Sequence, residues 1–150
     1  MTLAPATPRL SSETVYASTV AKDGRAVMIM GQSGAGKSDL ALRLIDRGFA
    51  LVSDDQTVLK RDADRLLSAA PTTIAGKLEV RGIGIVELDH VGDVPVALGV
   101  ALVTDMERLP EEDRERNFLG ASIPFVTIDA RTASAAAKVS LALDKLGLRF

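Results

Sequence analysis

The chain has 150 residues, 47% hydrophobic and 25% charged, with a formal net charge of −2, no cysteine and one histidine. That allows one domain with a real core, and it argues against a nucleic-acid surface, a disulfide framework or a zinc site. No run approaches the ~20 apolar residues of a membrane span, and the opening MTLAPATPRLSS lacks the apolar centre of a signal peptide.

Residues 1–12, rich in Pro, Thr and Ser, are expected to form a flexible arm, with one domain over 13–150. TVYASTVA predicts a strand, KDGR a turn and AVMIM a buried strand, together a hairpin. A glycine-rich loop follows from Gly31. SDLALRLIDR then predicts a helix with Leu40, Leu44 and Ile45 on one face, stopped at Gly48. FALVS predicts a third buried strand ending at Asp54. TVLKR, DADR and LLSAA form a second hairpin, and PTTIAGK a loop. LEVRGIGIVEL is strand-like but interrupted by Gly82 and Gly84. VPVALGVALVTD is a long apolar strand. MERLPEEDRERNFLGASI is a polar connection with room for a helical turn, its PEEDRER run a solvated face or a substrate-contacting loop. PFVTIDA is the last strand. TASAAAKVSLALDKLG closes the chain as a helix with Val139, Leu143 and Leu146 on one stripe, a surface for core or oligomer packing. The pattern predicts an α/β fold with a mixed sheet.

GQSGAGKS fits G-x-x-x-x-G-K-[S/T], a P-loop (Walker A) motif, over Gly31, Gln32, Ser33, Gly34, Ala35, Gly36, Lys37 and Ser38. Glycines let backbone N–H groups turn inward around phosphates. Lys37 neutralises phosphate charge, Ser38 offers a hydroxyl to Mg²⁺, and a helix N-terminus behind the loop favours an anion. The preceding buried strand and the following amphipathic helix give the motif its required context. A nucleotide-binding domain follows.

The pair Asp54-Asp55 ends the next strand. Adjacent strand side chains point to opposite faces unless the strand stops between them. One carboxylate either completes a Mg²⁺ shell or accepts the proton of an incoming hydroxyl. The plainer alternative is that both solvate a strand end. His90, in DHVGD, is expected to be a turn residue.

GQSGAGKSDLALRLIDRGFALVSDD followed by LEVRGIGIVEL resembles the HPr kinase/phosphorylase family, bacterial enzymes that phosphorylate a serine of the phosphocarrier HPr and remove that phosphate. The resemblance runs from about Thr14 onward. It covers only the catalytic half of the longer members, a compact form familiar from alphaproteobacteria. It implies a cytoplasmic serine/threonine-protein kinase using ATP and Mg²⁺, linked to the phosphotransferase system and the regulation of carbohydrate metabolism. HPr or an HPr-like carrier would be its partner, and a homo-oligomer, in the family a hexamer, its assembly. Asp54 falls at the family's catalytic acid/base, with Lys37 and Arg108, in ERLP, as further catalytic residues. Ser38 and Glu79 fall at magnesium ligands. Asp55 supports Asp54 or organises water near the metal. The stretch Leu78 to Glu87 matches one used in both directions of reaction.

Three departures stand out. Tyr16 replaces a histidine fifteen residues before the first loop glycine, and tyrosine does not titrate near neutral pH. Asp39 replaces a glutamate. TIDARTA keeps Arg131 of a segment tied to dephosphorylation but loses its proline and glycine. These departures predict a bias toward the kinase direction. Rival readings are a nucleotide-sensing regulatory module with little catalysis and a small-molecule P-loop kinase.

Overall fold

The computed structural model describes residues 11–103 and 114–150. The chain builds strands β1 (Ser12–Val15), β2 (Ala17–Lys22) and β3 (Arg25–Met30), then helix α1 (Lys37–Ile45) and strand β4 (Ala50–Ser53). Strands β5 (Thr57–Asp62), β6 (Arg65–Ala69), β7 (Lys77–Val80), β8 (Gly84–Glu87) and β9 (Val94–Leu102) follow. Strands β10 (Glu115–Phe118) and β11 (Ala121–Ile128) and helix α2 (Ala135–Leu146) complete it.

The sheet is mixed. β3, β9 and β11 run parallel, with β3 and β11 both paired to β9. β2 is antiparallel to both β3 and β4. β6 pairs antiparallel with the first residues of β9 and continues through β5 to β1. Between β2 and β3 the chain turns at Asp23 and Gly24, both left-handed at φ 52° and 74°. Two successive positive φ values suit a two-residue hairpin, and Asp-Gly is the pair that tolerates them.

The central strands are buried on both faces, which explains their continuous apolar runs. Val27 and Ile29 of β3 join Leu40 and Leu44 of α1 and Val139 and Leu143 of α2 in one core. Ala26 and Met28, pointing the other way, join Leu59, Leu66, Val96, Ile123 and Phe125 in a second.

Several sequence expectations change. The first strand breaks at Tyr16, so that β1 pairs with β5 while β2 joins β3 and β4. Ser12, assigned to the arm, already belongs to β1; residues 1–10 lie outside the described residues. LEVRGIGIVEL is a separate hairpin, β7–β8, because Gly82 takes positive φ in the turn and Gly84 does so at the start of β8. The tail of the polar connection is strand: β10 and β11 form a hairpin around Leu119 and Gly120. Strand β11 changes partner after Pro124, pairing with β10 before it and β9 from Phe125 onward. On α2 the buried stripe is Ala135, Ala136, Val139 and Leu143, and Leu146 is exposed.

Gly99 of β9 lies under the Phe125 ring, where an added Cβ would sit 2.2 Å from ring carbons. Phe125 also stacks with Phe118 and carries the Arg116 guanidinium 4.6 Å from its centroid. Gly99→Ala must displace that ring. It is expected to lower stability by ~1–3 kcal/mol, seen as a reduced Tm in thermal unfolding. Adding Phe125→Leu should give a smaller loss than the sum of the two single variants. A Gly99→Ala protein that melts with the parent would show that the ring is not held over this glycine.

Candidate functional site

The glycine-rich loop leaves the end of β3 and enters α1. Gly36, the residue before the helix, has φ 100°, and no side chain caps the helix. A Cβ there would also press on Ala130 at 3.3 Å, so glycine is required by conformation and space alike. The uncapped first turn leaves backbone N–H groups for an anion. Lys37 is buried, and its Nζ donates to the carbonyls of Gly31 (2.8 Å) and Gln32 (3.3 Å). The cation is thereby held on the loop it would serve.

Behind the loop lies Asp54, only 7% exposed. Its Oδ1 accepts from Ser38 Oγ (2.6 Å) and Ser18 Oγ (2.8 Å), and its Oδ2 from the Glu79 N–H (3.1 Å). A buried carboxylate needs such donors. Asp55 differs. It is exposed and left-handed at φ 65°, and the Gln56 N–H donates to the Asp54 carbonyl at 2.7 Å. This is a tight three-residue turn of the γ type, a strained conformation. The turn ends the strand and sends the two carboxylates to different surroundings. Ser53 Oγ donates to the Gln56 carbonyl and the Asp55 N–H to Ser18 Oγ (3.1 Å).

A pocket of about 610 Å³ opens over the loop. Its walls are the loop from Ser33 to Ser38, Asp55, the hairpin residues Glu79, Val80 and Arg81, and Ala130 with Arg131. Arg43 of α1 donates to the carbonyls of Ala130 and Thr132 and pairs with Asp39 at 3.2 Å, tying helix to wall. On that wall the Arg131 guanidinium grips Asp129 through Nε (3.0 Å) and Nη2 (2.7 Å), and the Arg131 N–H adds a third donor at 2.9 Å.

Thus Lys37, Ser38, Asp55 and Glu79 meet at one pocket, with Asp54 beneath it. The expected catalytic Asp54 is the enclosed member of its pair, and Asp55 the open one. Arg108 lies outside the described residues. Tyr16 is 71% exposed between β1 and β2, and His90 is also exposed. Ser18, Arg81 and Asp129 were not anticipated. A serine and threonine inside an otherwise apolar strand were the available signal for Ser18.

Residues 9–143 match the HPr Serine kinase C-terminal domain family. The chain belongs to this family. It is 36% identical over 131 residues to HPr kinase/phosphorylase of Caldanaerobacter subterraneus subsp. tengcongensis, covering 79% of this chain and 43% of that protein. To the Alkaliphilus metalliredigens HPr kinase/phosphorylase it is 38% identical over 123 residues, covering 73% and 40%. The chain therefore spans about two fifths of the length of these curated relatives. The Hpr(Ser) kinase/phosphatase structure from Coxiella burnetii superposes with a TM-score of 0.77 at 28% identity, covering 88% of this chain and 94% of that one. The fold is thus the mixed α/β fold of the HPr kinase catalytic domain. Among the described residues no helix is long and apolar enough to cross a membrane.

Family membership implies ATP and magnesium, and the donor set can be weighed against that. Among the described residues no three acidic, His or Cys side chains form a metal cage. Magnesium does not require one: it keeps waters and phosphate oxygens and takes one or two carboxylates. Ser38, Glu79 and Asp55, all oxygen donors lining one pocket, fit that habit.

The Arg131 side-chain hydrogen bond, helped by the Arg131 N–H, lowers the Asp129 pKa from 3.8 to about 2. A depressed carboxylate pKa means that the stabilisation is complete above the ordinary value and lost as pH falls through the folded one. The stability gap between the parent and Asp129→Asn should therefore be constant near neutrality and shrink as pH falls from 3.8 to about 2. Denaturant unfolding at a series of pH values measures it. A gap independent of pH across that window would show that the clamp does not hold the charged form.

Proposed function

We propose that this chain is an ATP- and magnesium-dependent serine kinase of the HPr kinase/phosphorylase type. Its substrate would be HPr or an HPr-like phosphocarrier, and its place the cytoplasm. The observation that carries the reading is the convergence of Lys37, Ser38, Asp55 and Glu79 on one pocket at an uncapped helix N-terminus. The names of the relatives support the choice of substrate.

Phosphoryl transfer asks for alignment and charge neutralisation more than covalent chemistry. The first-turn N–H groups and the loop backbone hold the phosphates, and Lys37 exchanges its loop carbonyls for phosphate oxygens. Ser38 and Glu79 would hold magnesium, which when bound neutralises charge developing on the phosphates. Ser38 can donate its hydroxyl hydrogen bond to Asp54 and keep its lone pairs for the metal. That leaves Asp55, exposed on the pocket wall, to orient the substrate serine and take its proton. The sequence resemblance gave that role to Asp54; accessibility favours Asp55. Strain at Asp55 is consistent with a functional position.

Transfer of labelled phosphate from ATP to a purified HPr-like protein tests the reading. Lys37→Ala should fold and transfer nothing. Asp55→Asn should bind nucleotide as the parent does and transfer roughly 10²–10⁴ more slowly, the range for loss of a general base. Asp54→Asn should chiefly raise the magnesium needed for half-maximal rate. If Asp54→Asn is instead the more damaging at saturating magnesium, the proton belongs to Asp54. A parental enzyme that binds nucleotide without labelling any carrier would favour the regulatory module.

The reverse reaction, phosphorolysis, needs a second anion beside the phosphoserine. Arg131 is the cation placed on that wall, and Asp129 already engages it. An incoming phosphate must compete with this carboxylate, so the enzyme should favour the kinase direction. Pyrophosphate release from serine-phosphorylated carrier at saturating phosphate should be far slower than forward turnover. Comparable rates would show that Asp129 does not restrain Arg131.

A further inference from the structure

Ser18 belongs to no sequence motif of the site. It is completely buried in β2, one strand removed from the glycine-rich loop. Its hydroxyl nevertheless touches both aspartates: the proton goes to Asp54 Oδ1 at 2.8 Å, and the oxygen accepts the Asp55 N–H at 3.1 Å. A hydroxyl has one donor and two acceptor sites, so a single side chain can serve both bonds at once. Its neighbour Thr19 is also buried, but its hydroxyl pairs with Thr57, whose hydroxyl donates to the Ala17 carbonyl. The two hydroxyl residues of the strand thus serve different ends. Thr19 and Thr57 join β2 to the start of β5, while Ser18 faces the carboxylates.

We infer that Ser18 is a positioning residue for the phosphoryl-transfer site, fixing the Asp54 carboxylate against Ser38 and the backbone of Asp55 in its left-handed turn. This rests on the kinase reading above. Without the Ser18 hydroxyl, Asp54 Oδ1 keeps, among the described residues, only Ser38 as a donor. Ser38 would then follow a carboxylate held less firmly, by Ser38 itself at Oδ1 and by the Glu79 N–H at Oδ2. At the same time the Asp55 N–H loses its acceptor, and the γ-type turn loses the bond that links it to β2. Both groups proposed to meet metal and substrate would lose their fixed position, although Ser18 touches neither ligand.

Removing an outer-shell partner of this kind typically costs 10–100-fold in metal affinity or activity. Ser18→Ala should therefore raise the magnesium concentration for half-maximal nucleotide binding by on the order of 10-fold. Binding of nucleotide in EDTA should stay at the parental level. Ser18→Thr keeps the hydroxyl on a residue suited to a strand and should restore the magnesium response. Amide exchange in the ligand-free protein supplies a readout independent of activity: in Ser18→Ala the Asp55 and Gln56 amides should exchange faster, while those of β3 and β9 do not. Folding of each variant is checked by its Tm. A folded Ser18→Ala with parental magnesium response and parental exchange at Asp55 overturns the proposal. So does a folded Ser18→Thr that fails to restore the response, because the hydroxyl would then not be what matters. If the parent itself shows no magnesium-dependent nucleotide binding, the kinase reading fails, and the exchange measurement still decides whether Ser18 fixes the turn.

Discussion

The buried carboxylate of Asp54 ties together a sheet strand, a helix and a separate hairpin. Its three donors come from β2, α1 and β7. A charge enclosed to this degree is costly unless every oxygen finds a partner. Satisfying it therefore dictates where three other elements begin or end. Helix α1 must present Ser38 within its first turn. Strand β2 must carry a hydroxyl in an apolar run. The β7–β8 hairpin must bring its backbone down onto the end of β4, although among the described residues it pairs with no other strand. The anchor of that hairpin is the fully buried Leu78, next to the residue whose N–H reaches Asp54. The polar contact at Glu79 and the apolar contacts of Leu78, Val80 and Val86 thus hold the pocket wall that carries Glu79 and Arg81.

The sheet explains why these parts gather at one end. β3 and β11 run parallel to β9, and β4 runs in the same sense because two antiparallel pairings separate it from β3. The carboxyl ends of β3, β4 and β11 therefore share an edge of the sheet. Those ends deliver the glycine-rich loop, the aspartate pair and the Asp129–Arg131 wall. Crevices outside the carboxyl ends of parallel strands are the usual ligand sites of α/β sheets. β2 runs the other way, and its first residues lie beside the last of β3, as in the pairing of Ala17 with Met30. That is how an antiparallel strand supplies Ser18 to a site built from parallel ones.

Much of this was legible in the sequence, and the failures are physical. The loop, the helix after it and the Asp-Asp strand end were visible because each is a local pattern with local causes. The hairpins at Asp23-Gly24 and around Ala63 followed from turn chemistry. What stayed hidden depended on partners distant in sequence. TVYASTVA has one apolar pattern but two pairing partners, β5 and the β3–β4 pair, and only tertiary pairing breaks it at Tyr16. The β10 strand is polar because it lies at an edge, so its composition suggested a loop. Leu146 sits at helical spacing from Leu143, yet the helix runs out of sheet to pack on and leaves it 58% exposed. The division between Asp54 and Asp55 was foreseen as opposite facing, but which of them would be enclosed depends on Ser18 and the β7 backbone, 36 and 25 residues away from Asp54.

Charge balance in the pocket constrains how any polyphosphate could be held. Lys37, Arg81 and Arg131 line it, and so do Asp39, Asp55 and Glu79. The Arg131 charge is further shared with Asp129. Among the described residues, side chains alone therefore offer a multiply charged anion little net attraction. Two other sources of positive potential remain. The N–H groups of the uncapped α1 terminus carry a fixed partial charge directed along the helix axis. A divalent cation would change the sign of the carboxylates' contribution, turning Asp55 and Glu79 from repelling groups into ligands or neighbours of a cation. The pocket is thus matched to an anion that arrives together with a metal and poorly matched to the anion alone. The same acidic wall that would weaken binding of free nucleotide, or of free phosphate, would on the proposed function favour the metal-bound form.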